Sequence, residues 1–217
     1  MSILSAAGAE FLMRWVHLMA GVTWIGLLYY FNFVQGEYFK EATPDAKSDA
    51  TKKLAPRALW WFRFGALFTF LSGAVILLMR GQPSIGWTVD ITLGALIGTL
   101  MFLNVWLIIW PNQKIVCGIV PGDAAVAGPK ALRASRSNVM FSGPMLMFMA
   151  SSGHLQHGPL GSASTVAVGL IVAIIAAIQI NAVKGKLLQP MATVKGIIHC
   201  SLALSVVLWL ILDLIKP

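Results

Sequence analysis

Long apolar runs separated by short charged segments dominate the chain. Six runs approach or exceed the about 20 residues that cross a bilayer as a helix. They are Phe11–Val34, Ala58–Met79, Ile91–Trp110, Val139–Leu155, Ala163–Val183 and Val194–Leu212. The fourth is the shortest, contains Gly143–Pro144 and is rich in serine. The pattern predicts an all-α, polytopic membrane helix bundle of six spans, a single integral membrane domain over residues 1–217. The segment Pro111–Asn138 reads as the longest irregular connection, with GIVPGDAAVAGP forming flexible turns.

The charges between the runs alternate. The first connection carries Lys40, Lys47, Lys52, Lys53 and Arg57, with Arg63 just inside the next span; the third carries Lys114, Lys130, Arg133 and Arg136. The fifth carries Lys184, Lys186 and Lys195, whereas the second has only Arg80 and the fourth no Lys or Arg. Cytoplasmic loops hold the excess of basic residues, so both termini are expected on the periplasmic side of a bacterial inner membrane. Trp15, Trp60, Trp61, Trp87 and Trp110 fall near span ends, as an aromatic belt requires.

Composition agrees with this reading. The 217 residues are 58% hydrophobic and 11% charged, with a mean hydropathy of +0.79. Soluble domains carry about 25% charged residues, so a globular protein is excluded. The first run is too long for a signal-peptide core and lacks a small-residue cleavage site, so it is expected to remain as a span. The net charge of +8 belongs to the loops and leaves no basic–aromatic surface for a nucleic acid. Cys117 and Cys200 are far apart and form no CxxC or CxxCH, which argues against covalent haem and thiolate metal sites.

The candidate chemistry lies in the histidines. An ionisable side chain at membrane depth costs roughly 2.5–3.5 kcal/mol on insertion scales, which makes His17 a residue with a partner or a task. Imidazole is a common axial ligand of haem iron. With 1.5 Å of rise per residue, His17 lies a turn or two from the periplasmic end of its span. His154 lies near the same end of the fourth, and His199 is offset by roughly 10–15 Å along the membrane normal. The depths select His17 and His154 as axial ligands of one non-covalent b-type haem. His157 is the substitute if the fourth span ends early, and His199 is a further candidate on the other half of the membrane. Arg14, one turn before His17, is placed to pair with a haem propionate. Gly21 and Gly26 allow a macrocycle or a helix to approach closely. Met140, Met145, Met147 and Met149 raise copper as an alternative, because soft thioethers suit Cu(I).

Four segments together resemble the N-terminal membrane domain of the membrane-bound urate oxidase (urate hydroxylase) family. They are RWVHLMAGVTWIGLLYYFNF at 14–33, WWFRFGALFTFLSG at 60–73, IWPNQK at 109–114 and RSNVMFSGPMLMFMASSGH at 136–154. The resemblance spans about residues 10–155. The first segment is also similar to the opening helix of HemJ-type protoporphyrinogen oxidases and CopD-type copper proteins. The resemblance implies a multi-span redox domain with His17 and His154 at the family's histidine positions. The family's cytochrome c domain has no counterpart before Pro217. Electrons are therefore expected to pass to a separate cytochrome c or another redox protein.

Three functions compete at this point. The first is electron transfer by a haem b membrane protein attached to a respiratory chain. The second is oxidation of urate or a related purine with an external cytochrome c. The third is a non-enzymatic assembly subunit or a copper-handling membrane protein.

Overall fold

The computed structural model describes residues 2–81 and 86–217. Six long helices alternate in direction: α1 Ala6–Glu41, α2 Pro44–Met79, α3 Val89–Val116, α4 Ala124–His154, α5 Thr165–Lys184 and α6 Val194–Leu214. Among the described residues, five of them (all except α4) are long and apolar enough to cross a membrane. The protein is thus an all-α, multi-pass membrane bundle.

The helices run further than the hydropathy pattern predicts. α1 passes through a wide π turn at Tyr30–Gln35 and continues to Glu41. α2 begins at Pro44, with the Thr43 hydroxyl accepting from the Ala46 N–H, and Lys53 pairs with Asp49 one turn away. Charged residues end the apolar run without ending the helix, because i,i+3 and i,i+4 pairs such as Glu37–Lys40 suit a solvated helix. The predicted irregular connection Pro111–Asn138 is corrected in the same way. Trp110–Val116 completes α3, Asp123 caps α4 on the Ala125 N–H, and only the turn around Gly118–Gly122 is irregular.

α4 is the central helix, and its neighbours explain its polarity. It packs along α3 and α6 and also touches α1 and α5. Tyr29 and Asn32 of α1 meet Ser142 and Ser135 at 2.8 and 2.7 Å. Asn138 donates to the Met101 carbonyl of α3 at 2.9 Å, and Arg133 donates to the Ala182 and Val183 carbonyls of α5. A helix enclosed by protein exchanges lipid-facing leucines for such bonds, which is why α4 alone is not apolar enough to count as a span. The pairings also show that α4 runs antiparallel to α1, α3 and α5 and parallel to α6.

One buried amide cluster joins three helices. Asn104 of α3 donates to Asn138 of α4 at 2.9 Å and to Gln179 of α5 at 3.0 Å, and Gln179 donates back to Asn104 at 2.7 Å. Replacing Asn104 by leucine strands the amides of Asn138 and Gln179. The expected loss is about 1–2 kcal/mol, seen as a lower denaturation midpoint in detergent, because interhelical hydrogen bonds in membranes contribute amounts of that order.

Close approach of α1 to α2 falls at Gly65, where a Cβ would lie 3.1 Å from the Trp24 backbone nitrogen. The expectation that Gly21 and Gly26 serve this role is corrected: Gly21 has only ordinary contact with Thr69, and Gly26 faces open space. Of the 16 Lys and Arg residues, only Arg14, Arg80 and Lys216 lie at the end of the bundle that holds both termini.

Candidate functional site

At the termini end, the four helices α1–α4 line a half-open cavity of about 920 Å³. That is within the size range of cofactor-sized pockets, about 300–1,000 Å³. His17 lines it from α1 and His154, an exposed residue, from α4. Both histidines that depth selects thus border one cavity. Its walls are apolar, including Phe70, Leu77, Ile91 and Met145, and two guanidinium groups, Arg14 and Arg80, belong to its lining.

His17 is oriented by α2. Its Nδ1 donates to the Thr69 carbonyl at 2.8 Å, since a carbonyl oxygen can only accept. That bond fixes the tautomer with the proton on Nδ1 and leaves the Nε2 lone pair for another partner. Among the described residues Nε2 makes no hydrogen bond. A ligating histidine usually donates its second ring N–H to a backbone carbonyl or carboxylate in this way. Gly73, one turn beyond Thr69, lies against the ring; a Cβ there would be 3.0 Å from Cε1 and 3.2 Å from Nδ1. The ring position depends on the missing side chain.

The opposite wall is made by α3 and α4. A Cβ at Gly94 would meet the Met149 nitrogen and Phe148 Cβ at 3.3 Å, so the two helices approach almost backbone to backbone. Met145 and Met149 thus share the cavity with both histidines. Trp24, also in the wall and 2% exposed, keeps its indole N–H without a partner among the described residues. Arg14 also pairs with Glu10 at 2.5 Å on the outer turn of α1.

The other two histidines are placed elsewhere. His157 lies outside this cavity: its Nδ1 and its backbone N–H both bond the Asp90 carboxylate at 2.8 Å, and its ring packs on Trp209. His199 is exposed on α6 near the opposite end, a few residues from Thr193, which meets Arg136. Among the described residues, no three His, Cys, Asp or Glu side chains converge as a metal site. Cys117, just past α3, is a buried free thiol whose desolvation pushes its pKa up, so it stays protonated and is a poor thiolate ligand.

The sequence pattern missed Arg80 and Asp90. Arg80 reads as a lone loop cation, and the fold makes it part of the cavity lining, as it does Arg14. Asp90 reads as an acidic residue in the first turn of a helix, where the dipole favours it, and gives no sign of its burial.

Comparison with known proteins adds the family. Residues 86–212 match the family described as urate oxidase N-terminal. No curated protein and no solved structure matches the chain. The matched span holds α3–α6 with Asp90, His154, His157 and His199, while Arg14, His17 and Arg80 precede it. It also includes the segments IWPNQK and RSNVMFSGPMLMFMASSGH but not the earlier two that carry the resemblance. Since the match covers more than half of the 217 residues, this multi-pass membrane protein belongs to the urate oxidase N-terminal family.

Proposed function

We propose that the protein is a membrane redox protein in which His17 of α1 and His154 of α4 would hold a b-type haem. The observation that carries this reading is the meeting of both histidines in one largely apolar cavity with two arginines in its lining. Such a haem supplies one-electron redox chemistry, tuned by axial ligation and burial. The chain's own part is to hold and shield it. The Thr69 carbonyl keeps the His17 proton on Nδ1, so Nε2 stays an electron-pair donor. Arg14 and Arg80 offer bidentate partners to carboxylates such as the two propionates. Phe70, Leu77 and Ile91 give the cavity an apolar lining, the kind of shell that tunes a redox centre. The basic loops of α1–α2, α3–α4 and α5–α6 belong on the cytoplasmic side, which puts the cavity in the periplasmic half of a bacterial inner membrane. There it would exchange electrons with a cytochrome c or another redox subunit.

Membership of the urate oxidase N-terminal family makes urate the first electron donor to try. The test is a reduced-minus-oxidised spectrum and a metal assay on protein purified from haem-replete cells. A b-type α-band with about one iron per chain is expected. A colourless, iron-free preparation rejects the reading, and copper in place of iron favours a site built on Met145 and Met149. Reduction of the band by urate, with oxidised cytochrome c restoring the oxidised spectrum, supports urate oxidation. Reduction by dithionite but never by urate leaves electron transfer from another donor.

A further inference from the structure

We propose that Asp90 is a positioning residue for His154, its carboxylate gripping the chain on both sides of that histidine. Asp90 is 0% exposed at the start of α3. The Ser151 hydroxyl, three residues before His154, donates to its Oδ1 at 2.8 Å. The His157 backbone N–H, three residues after His154, donates to Oδ2 at 2.8 Å, and His157 Nδ1 donates to Oδ1 at 2.8 Å. Three donors on one buried carboxylate satisfy it as an anion, and hydrogen bonds to a charged group are the stronger kind.

The rest of the connection is strapped to the same place. The Val89 N–H donates to the Gly158 carbonyl at 3.1 Å, and the Leu160 N–H donates to the Trp87 carbonyl at 3.0 Å. Gly158 has φ +99°, a left-handed conformation that lets the chain turn back towards α3. On the far side, the His157 ring lies 4.2 Å from Trp209 of α6, and its Nε2 lies 3.5 Å from Asp213. His154 is itself exposed and makes no side-chain hydrogen bond among the described residues. Its place at the cavity is therefore set by what holds Ser151 and His157, and Asp90 holds both. A carboxylate is required here, because an amide presents only one accepting oxygen and turns an N–H₂ towards the donors.

The assignment rests on the reading of His154 as a haem ligand, and Asp90→Asn tests it on the haem-loaded protein. The expected result keeps the haem, held by His17, while the low-spin signal in electron paramagnetic resonance gives way to a high-spin one. In the haem-free protein the amides of Leu155–His157 are expected to exchange about tenfold faster or more, the change that loss of a charge-assisted bond brings. Wild-type spin state and exchange rates in Asp90→Asn overturn the assignment alone. Wild-type protein that takes up no haem overturns the ligand reading and the assignment with it. Should Asp90→Asn fail to fold, Ser151→Ala removes one grip only; a smaller spin-state change in the same direction supports the assignment, and no change overturns it.

Discussion

Replacing His17 by alanine is expected to yield a folded bundle that has lost its haem. The structural loss is small. His17 is half-buried and donates one bond, to the Thr69 carbonyl, which inside α2 also faces the helix's own i+4 N–H. Removing the imidazole thus leaves no stranded acceptor and costs about 0.5–1.5 kcal/mol. The effect on the cofactor is far larger. Loss of a residue that merely orients a ligand lowers metal affinity about 10–100-fold, so loss of the ligand itself should exceed that range. Spectral titration of haem into the purified variant would measure it, and an α-band of wild-type height after His17→Ala refutes the ligand assignment. Gly73→Val provides the graded control. Its Cβ would press on the ring at Cε1, and its two methyl groups deepen the clash. The bond to Thr69 cannot then keep its geometry, and affinity should fall by the 10–100-fold expected of a misplaced ligand. Circular dichroism separates both results from unfolding.

That His17 and His154 line the same cavity is legible because depth in a membrane is a one-dimensional quantity. Helices that alternate in direction, each rising 1.5 Å per residue, fix which side chains share a level. Lateral order is a different matter. Nothing in the hydropathy pattern tells that α4 stands in the centre, so its serines read as weakness in a span, and Arg136 and Asn138 as part of the connection before it, rather than as contacts. The same blindness hid Asp90, whose partners Ser151 and His157 lie 61 and 67 residues away, on α4 and just past its end. His157 therefore read as a spare ligand, whereas its ring and its backbone are both held by Asp90. The charged ends of α1 and α2 read as loops in the sequence because hydropathy marks where the lipid ends, not where the helix does. Close approach is hidden for a related reason: the sequence offers glycines on the helix of His17 itself, but the facing residues Gly65 and Gly73 of α2 carry the tight contacts.

Gly143→Leu is expected to produce a large loss of stability, at a point where α4 and α6 touch through their smallest residues. A Cβ at Gly143 would lie 2.5 Å from the Ser201 hydroxyl oxygen, 2.8 Å from that of Ser205 and 3.1 Å from the Ser201 carbonyl. The hydroxyls can rotate away, but the carbonyl belongs to the α6 backbone and can move only if the helix does. The glycine also donates its N–H to the Ser201 hydroxyl at 3.1 Å, a bond between helices that a displaced α6 breaks. Pro144 follows and removes an N–H from the α4 ladder, so the turn has one fewer internal bond with which to resist the shift. Without a hydrophobic drive between helices in lipid, packing of this kind holds a bundle together. Overpacking at such a contact costs about 1–3 kcal/mol, and a backbone clash belongs at the upper end. For a chain of this length about 1 kcal/mol moves the midpoint by 2–4 °C, so a fall of roughly 5–10 °C in detergent is expected. Gly143→Ala should fall by less, since a single methyl displaces the hydroxyls before it reaches the carbonyl. A midpoint unchanged by leucine would mean that α4 and α6 do not meet at this residue.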